Sequence, residues 1–253
     1  MAEGADWRHG EAYEYVDQLD PAGLAWEFLR RNRKYQSDYE RIPKHKRETV
    51  SEKLTRLWGL RFPRLPFRSA IDADVFFAPH FDPGILLLAS PSRVLASDNP
   101  VLTLSNTASR KAPEGHYLHI EASNQRFPAL CLGDHLPAGP VAAITLLDQF
   151  LEDRVEAIRR FAAALHNRQS APDLRVNLYR RNNFRQMLRI IDARRSGATY
   201  QDIAEVVLNT EHVSATTWKT MPERDTVMRR FREGTRLVEG AYRGLLFRHR
   251  PLT

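Results

Sequence analysis

The stretch Ser196-Gly197-Ala198-Thr199-Tyr200-Gln201-Asp202-Ile203-Ala204 separates two predicted helices in the last third of the chain. Gly197 can adopt the left-handed conformation that ends a helix, and Thr199 or Ala198 then begins the next one. Asp202 falls in the first turn, where the helix dipole favours a carboxylate. The small Ala204 leaves room for another helix to cross closely, which is the packing that a helix-turn-helix needs.

A further helix is predicted to begin at Thr220-Met221-Pro222-Glu223, which has the T-x-x-E spacing of a capping box. Pro222 is tolerated in a first helical turn. The following apolar residues recur at helical intervals, and they are Val227, Phe231, Val238, Tyr242 and Leu245. The spacing therefore predicts a half-buried helix from Val227 to Leu245, with Gly234 and Gly240 as the points where it can bend or stop.

The opposite face of this helix carries Asp225, Arg229, Arg232 and Arg236. Lys219, Thr220 and Arg224 lie at its amino end, where arginine forks can pair with guanine and free amides can bind phosphate. Thr199, Tyr200 and Gln201 are expected to hold the preceding helix on the DNA backbone. These ten residues are the candidate DNA contacts, although an arginine-rich helix face is more often simply solvated.

The distribution of charge favours the DNA-binding interpretation. Residues 175–250 carry 16 Lys and Arg against 8 Asp and Glu, whereas the first 174 residues carry 22 against 23. The net charge of +7 therefore arises from one segment. Confinement of a basic excess to one segment is typical of proteins that bind a polyanion.

Four short motifs in this segment resemble the RovC-type DNA-binding domain of proteobacterial transcription factors. They are Gly197-Ala198-Thr199-Tyr200-x-x-Ile203-Ala204-Glu205, Trp218-Lys219-Thr220, Arg224-Asp225-x-x-x-Arg229-Arg230 and Gly240-x-Tyr242-Arg243-x-Leu245-Leu246. The stretch 208–213 is longer than the tight turn of an ordinary helix-turn-helix. This difference leaves the docking geometry of the third helix open.

The amino-terminal region resembles the transcriptional-regulator-like domain that often precedes the RovC-type domain. The motifs that carry this likeness are Asp6-Trp7-Arg8, Tyr13-x-Tyr15 and Ala25-Trp26-Glu27-Phe28-Leu29-Arg30-Arg31-Asn32. Proteins with both halves resemble the FseA activators of integrative and conjugative elements. The resemblance implies a transcriptional activator of excision and transfer genes, with RNA polymerase and a small antiactivator protein as possible partners.

Elsewhere the pattern predicts more helices. A short one is expected over Glu11–Leu19, a longer one from Asp20 to about Ser37, and another over Thr49–Leu60. The cations near the end of the second helix suit a helix carboxyl end, and a secondary DNA contact is the alternative. A helix over Leu146–His166 is expected to bury Leu147, Leu151, Val155, Ile158, Ala162 and Leu165.

Short apolar runs in the middle of the chain predict strands. They lie at 75–77, 85–89, 101–104, 117–121 and 129–132, and the last two are expected to form a hairpin. The fold class is therefore α+β, with a helical amino-terminal region, a small and mostly antiparallel sheet, and a helical carboxyl-terminal domain containing a helix-turn-helix-like element. We place the transcriptional-regulator-like domain at 1–104 and the RovC-type domain at 105–253.

Composition excludes several classes of protein. The single cysteine, Cys131, excludes an intramolecular disulfide and a cysteine-based zinc finger, and its apolar surroundings predict a buried thiol. No apolar run approaches the roughly 18 residues of a membrane helix, and the polar start after Met1 predicts a cytoplasmic protein. Phosphate-binding loops, metalloprotease motifs and nucleophile elbows are absent from the sequence, so we expect no enzymatic activity, cofactor or metal.

The sequence thus predicts a DNA-binding transcriptional activator that binds double-stranded DNA as a homo-oligomer. Two other functions remain open. The protein could act mainly through protein-protein contact, or it could be a DNA-processing accessory factor that leaves transcription unchanged.

Overall fold

The computed structural model describes residues 6–47, 49, 51–92, 102–104, 107–169, 173 and 175–248. The chain divides into two compact units, each built from separate stretches of sequence. The helical unit comprises Met1–Glu48, Pro63–Val75 and Asp173–Leu245, and the sheet unit comprises Thr49–Phe62, Phe76–Pro172 and Leu246–Thr253. Helices together with a small sheet confirm the α+β class.

The helical unit contains seven of the helices described in the structure, numbered here in chain order over the whole protein. They are α1 (Pro21–Leu29), α2 (Arg33–Glu40), α4 (Ala70–Ala73), α6 (Leu178–Arg195), α7 (Tyr200–Val207), α8 (Ala215–Trp218) and α9 (Pro222–Val238). Three 3-10 segments, Gly10–Gln18, Lys44–Lys46 and Ala241–Leu245, accompany them.

The helix expected from Asp20 to Ser37 is two helices, so this prediction was wrong. Asp20 caps α1 as expected, but the chain turns at Asn32, whose side-chain oxygen accepts bonds from the amides of Lys34 and Tyr35. The Asn32 side chain also donates to the carbonyl oxygen of Val238 at 2.8 Å. An N-cap in the middle of the periodic pattern thus ends one helix and begins the next. All nine residues of α1 are buried.

The helix junction around Gly197 follows the prediction closely. Gly197 has φ 91°, which is the left-handed conformation, and α7 begins with Thr199 as its N-cap. The Thr199 hydroxyl accepts from the amide of Asp202, and the Asp202 carboxylate accepts from the amide of Thr199. This reciprocal capping box fixes the start of α7.

The two ends of α9 differ from the prediction. Its N-cap is Met221, Pro222 occupies the first turn, and the Thr220 hydroxyl donates to the carbonyl of Thr217, so the expected Thr220–Glu223 capping box is wrong. The helix ends at Val238 because the chain turns at Gly240, where φ is 141°. Tyr242 and Leu245 are still buried, but they lie in the following 3-10 segment.

The sheet unit contains α3 (Glu52–Trp58), α5 (Leu151–Leu165) and five strands. The strands are β1 (Leu86–Ala89), β2 (Ser109–Ala112), β3 (Gly115–Ala122), β4 (Gln125–Leu132) and β5 (Ala142–Ile144). Their order in the sheet is β2-β3-β4-β1-β5, in which β1 and β4 are parallel and the other neighbours are antiparallel.

The predicted hairpin is confirmed as β3 and β4, joined at Ser123 and Asn124 with φ of 47° and 58°. Two positive φ values are what a two-residue hairpin turn requires. The strand expected at 75–77 is wrong, since only Phe77 forms an isolated bridge, to Leu60. Residues 102–104 are not a strand, and Val101 lies outside the described residues.

Helix α5 begins five residues later than expected and presents a different face to the sheet. Its buried residues are Asp153, Arg154, Ala157, Phe161 and Ala164, whereas Leu147 is 87% exposed and Val155 is 49% exposed. The predicted apolar stripe was therefore wrong at Leu147, Val155 and Ala162, whereas Ile158 and Leu165 are partly buried against the core as expected. Small alanines beside one phenylalanine allow the helix to lie close to the strands, which selects this face over the bulkier one.

The structure also bears on membrane-spanning helices and on the single cysteine. Among the residues in the described ranges, no helix is both long and apolar enough to cross a membrane. Cys131 lies fully buried in β4, and burial raises the pKa of its thiol to about 11.

Candidate nucleic-acid interface

Three helices of the helical unit pack around one another to hold the candidate interface. Helix α7 buries Ile203, Ala204 and Val207, and the ring of its Tyr200 lies edge-on to Phe231 of α9 with centroids 6.0 Å apart. Helix α9 crosses α6 at Gly234, where an added Cβ would lie 2.9 Å from Ile191 Cδ1. The apolar side of α9 is therefore occupied, which leaves its other side to solvent.

The connection between α7 and α9 is a fourteen-residue segment, 208–221, that contains the short helix α8. Ser214 caps α8, and its hydroxyl accepts from the amide of Thr217. The Gln201 side chain donates to the carbonyl of Val213 at 2.8 Å and so holds this segment against α7. The arrangement departs from a tight helix-turn-helix because an additional helical turn stands between the two longer helices.

Sequence reasoning missed helix α8, although Lys219 and Thr220, which directly follow it, are among the predicted DNA contacts. Its four residues are not buried, and Thr216, Thr217, Lys219 and Thr220 are all exposed. Residues 212–222 contain no acidic side chain. The signal that could have located α8 is Ser214, a preferred N-cap residue.

The predicted basic face of α9 is present. Asp225, Arg229, Arg232 and Arg236 are exposed, and Arg229 lies 3.7 Å from Glu233 in an exposed i,i+4 pair. Arg232 and Arg236 form no hydrogen bond or ion pair with any residue that the structure describes. Arg229 and Arg236 are seven residues apart, or about 10 Å along the helix axis at 1.5 Å per residue.

At the amino end of α9, Arg224 is half-buried and its Nη1 lies 3.4 Å from the carboxylate of Asp225. Arg230 faces away from the exposed row, and burial lowers the pKa of its guanidinium, with Arg229 adding to the effect. Lys219 and Thr220 lie just before α9 and Arg224 and Asp225 lie in its first turn, so these four residues form the corner at the amino end of the helix. Arg229, Arg232 and Arg236 extend from that corner along α9.

The three candidate residues of α7 make contacts within the protein. Thr199 caps its own helix, and Gln201 holds the 208–221 segment. The Tyr200 ring lies between Phe231 and the guanidinium of Arg194, whose Cζ is 4.5 Å from the ring centroid. These contacts position α7 and the segment that follows it.

The arginines of α6 serve a different purpose from those of α9. Arg181 donates to the carbonyls of Val16 and Leu19, and Arg185 pairs with Asp17 at 3.0 Å. Arg189 donates to the carbonyl of Trp7 at 3.1 Å. Arg195 donates to the carbonyl of Arg31, so Arg181, Arg185, Arg189 and Arg195 all bind the amino-terminal segment. Only part of the basic excess remains for a polyanion.

A buried ionic cluster joins α1 to α6. Arg31 binds Asp192 through two parallel bonds of 2.8 and 2.6 Å, and its Nη1 donates to Glu27 at 2.7 Å. The Tyr13 hydroxyl donates to Asp192 at 2.8 Å. Burial alone raises the pKa of Glu27 and of Asp192, but the guanidinium of Arg31 outweighs it and both carboxyl pKa values lie below their usual range. Arg31 is one of the cations near the end of the second predicted helix, for which a DNA contact was the alternative. It is 4% exposed, so that alternative is wrong for Arg31.

Two comparisons with protein families agree with this arrangement. Residues 144–246 match the RovC DNA-binding domain, described as a DNA-binding domain of a transcription factor of the type VI secretion system (T6SS). Residues 6–63 match the proteobacterial transcriptional regulator-like domain. No curated protein matches the chain.

The chain therefore carries a proteobacterial transcriptional regulator-like domain and a RovC-type DNA-binding domain. These two domains define the class to which the protein belongs, that of DNA-binding transcription regulators. The match to the RovC DNA-binding domain, residues 144–246, contains α6, α7, α8 and α9. The exposed corner and the basic row therefore both lie inside the DNA-binding domain.

Proposed function

We propose that this protein is a cytoplasmic transcriptional activator that binds specific sites on double-stranded DNA as a homo-oligomer. One observation supports the proposal above others. A mostly exposed segment without acidic residues, 212–222, precedes α9, whose exposed face carries a row of arginines, and two of these, Arg232 and Arg236, have no bond to the described part of the chain. Since the arginines of α6 are bound internally, this exposed row is the available cationic surface of the carboxyl-terminal helices.

In this proposal the corner and the row have different roles. Lys219, Thr220, Arg224 and Asp225 contact base edges in the major groove, where donors and acceptors distinguish all four base pairs. Arg229, Arg232 and Arg236 bind phosphates, because a row about 10 Å long follows a backbone better than it fits one groove floor. Thr199, Tyr200 and Gln201 act indirectly by holding the segment 208–221 in place.

The direction of regulation and the target genes rest on the resemblance to FseA activators. By this likeness the protein turns on excision and transfer genes of a mobile element, with RNA polymerase and a small antiactivator as partners. It acts through binding alone, without enzymatic activity, cofactor or metal. The family description that matches 144–246 names type VI secretion, which makes secretion genes a second set of targets to examine.

The experiment that tests the proposal begins with selection of binding sites from random double-stranded DNA, followed by gel shift at several salt concentrations. We expect a recurring motif and an affinity that falls steeply with salt, because each neutralised phosphate releases counterions. Replacing Arg232 and Arg236 with alanine should reduce the steepness by about 0.9 for each lost phosphate contact, equally for all sequences. Replacing Arg224 with alanine should relax the motif at one position and cost about 1–3 kcal/mol.

The matched control is Arg159→Ala, which removes an exposed arginine of α5 whose one ion pair within the described residues is with Glu156 of its own helix. Its affinity and salt dependence should equal those of the wild type. If Arg232→Ala and Arg236→Ala bind as the control does, the basic row is a solvated face and the DNA-contact assignment fails. A transcription assay with the selected site then distinguishes an activator from an accessory factor, which would leave transcript levels unchanged.

A further inference from the structure

Two exposed cations, Arg33 and Lys34 (the α2 cations), occupy the first turn of α2. The sequence pattern placed them at the carboxyl end of one long helix, where the helix dipole favours positive charge. The chain turns at Asn32, so they lie instead at the amino end of a new helix, where the dipole disfavours positive charge. The first turn of α2 contains no acidic residue, and neither side chain forms a hydrogen bond or ion pair with any residue in the described ranges.

The amino end of α2 lies past the carboxyl end of α9. The Asn32 side chain donates to the carbonyl oxygen of Val238, the last residue of α9, at 2.8 Å. Carbonyl groups at the end of a helix point along its axis and away from the helix, so their donor lies beyond that end. The basic row of α9 runs toward this same end and finishes at Arg236. Arg33 directly follows Asn32, and Arg236 precedes Val238 by two residues. The backbones of the two arginines therefore lie within roughly 20 Å of each other.

The positive charge of the α2 cations is only partly compensated by their surroundings. Burial lowers the pKa of Arg195, and the nearby charges of Arg31 and Arg33 lower it further. Glu239, the residue after Val238, forms no ion pair with the α2 cations in the described chain. The carboxyl end of α9 is equivalent to about −0.5 charge, which offsets only part of two full positive charges. This excess of positive charge, close to a row of arginines, favours the binding of a polyanion.

We propose that Arg33 and Lys34 bind phosphates of the same DNA as the basic row, so that the transcriptional regulator-like domain takes part in the DNA interface. A DNA backbone that continues past Arg236 meets the start of α2 within one helical turn of DNA, which is about 34 Å. The side chains are the binding groups, because the side-chain oxygen of Asn32 already accepts from the amides of Lys34 and Tyr35.

This inference rests on the proposed function and extends it to residues 6–63, whose family description names no DNA contact. Phosphate contacts position a protein on DNA and carry no sequence information directly. The α2 cations should therefore raise the affinity and lengthen the bound site, and they should leave the recognised motif unchanged. The loss of Arg224, by contrast, is expected to relax the motif.

The test compares two double variants of the full chain by gel shift on the selected site. Arg33→Gln with Lys34→Gln removes the α2 cations, and Lys53→Gln with Arg56→Gln removes one lysine and one arginine from exposed positions on α3. The α2 variant should bind roughly tenfold more weakly at about 0.1 M salt, and its salt dependence should fall by about 0.9 for each lost phosphate contact. The α3 variant, which is the matched control, should bind as the wild type does.

A second measurement locates the contact on the DNA. The wild type should lose affinity when base pairs are removed from one flank of the motif, whereas the α2 variant should be insensitive to that removal. On the shortened duplex the two proteins should then bind equally. Each protein is compared with itself on two duplexes, so the result does not depend on the fraction of protein that is folded.

Equal binding by the α2 variant and the α3 variant would overturn the inference and leave the proposed function intact. A flank dependence that the α2 variant shares with the wild type would do the same. A relaxed motif for the α2 variant would also overturn it, because base contacts would then replace the phosphate contacts. A wild type that binds no DNA would overturn both the inference and the proposed function.

Discussion

In the helical unit, α1 meets α6 through a buried charge cluster, whereas in the sheet unit α5 meets the strands through apolar side chains. Arg31 is 4% exposed and binds Glu27 and Asp192. On α5, Phe161 and two alanines face the core formed with Leu88 and Phe127. A charge cluster depends on the presence of every partner, and an apolar core depends on filled volume, so the two units should fail under different changes.

The difference also separates two uses of arginine. On α6 the guanidiniums of Arg181 and Arg185 bind carbonyls and a carboxylate of the amino-terminal segment. On α9 the side chains of Arg229, Arg232 and Arg236 are exposed to solvent. A count of basic residues over 175–250 includes both groups. The count therefore overstates the surface that can bind DNA, although it locates the segment correctly.

The largest effect is expected from Arg31→Met, which keeps the volume of the side chain and removes its charge. Asp192 would then be left as a largely buried carboxylate without its guanidinium, and Glu27 would keep only its pair with Arg30, at a cost of about 3–5 kcal/mol. Hydrogen exchange resolved by peptide should show a loss of protection in α1 and α6. The control is Arg41→Met, because Arg41 is 78% exposed and its pair with Asp38 is 3.8 Å long. A loss of stability equal to that of the control would mean that the cluster does not hold the helical unit.

The sheet unit should respond most to lost volume. Leu88 is 1% exposed within the core beneath α5, and Leu88→Ala should cost about 2–5 kcal/mol through lost burial and the cavity left behind. Hydrogen exchange measured on peptides from β3 and β4 would report this loss of stability. Val155→Ala, on the exposed side of α5, is the matched control and should stay within about 0.5 kcal/mol of the wild type. Equal effects of the two substitutions would contradict the orientation of α5.

A smaller effect is expected where α6 and α9 cross. In an open helix, alanine is about 1 kcal/mol more favourable than glycine, but at Gly234 the new Cβ would lie 2.9 Å from Ile191 Cδ1 and 3.2 Å from Met187 Cβ. Overpacking should reverse the sign, so Gly234→Ala should destabilise the protein by about 1 kcal/mol. Gly139→Ala, where nothing lies within 4 Å, should be neutral or slightly stabilising. A more stable Gly234→Ala variant would show that the crossing is looser than described.

The smallest expected effect is a change in the acid sensitivity of the helical unit. The pKa of Asp192 is lowered in the folded protein because Arg31 outweighs the effect of burial. A lowered folded pKa adds stability above the ordinary value of 3.8, and this stability is lost as the pH falls through the folded pKa. Asp192→Asn should therefore be less stable than the wild type at neutral pH, and the difference should narrow in acid. Urea unfolding of both proteins at a series of pH values measures this difference in stability. A difference that is the same at every pH would contradict the lowered pKa of Asp192.

Several features of the fold were predictable because their causes lie within a few residues. Gly197 with Thr199 and Asp202 specified the junction before α7. The hairpin was predicted with its turn at Asn124-Gln125, and the turn lies one residue earlier, at Ser123-Asn124. The exposed positions of Arg229, Arg232 and Arg236 followed from helical periodicity alone. Periodicity failed where two faces of a helix could both be buried, as in α5, because a stripe of apolar residues does not say which side the sheet will cover.

The candidate site was predictable in its segment and in the row on α9, but α8 was missed. A single helical turn has too few residues to produce a periodic signal, and its exposed side chains leave no apolar trace. The division of the chain at residue 104 stays a prediction, since compact units built from separate stretches of sequence neither require nor exclude it.

Local chemistry in this chain was sufficient to specify the Thr199–Asp202 cap, the β3–β4 hairpin, the α+β class and the exposed face of α9. The fate of each arginine depended on residues far away in the sequence. Arg31 finds Asp192 across 161 positions, and Arg181 finds Leu19 across 162. Such pairs form only when the chain has folded, because the free energy of burying a charge depends on which partner tertiary contacts bring beside it. The same residue type therefore holds two helices together at one position and stays exposed to solvent at another.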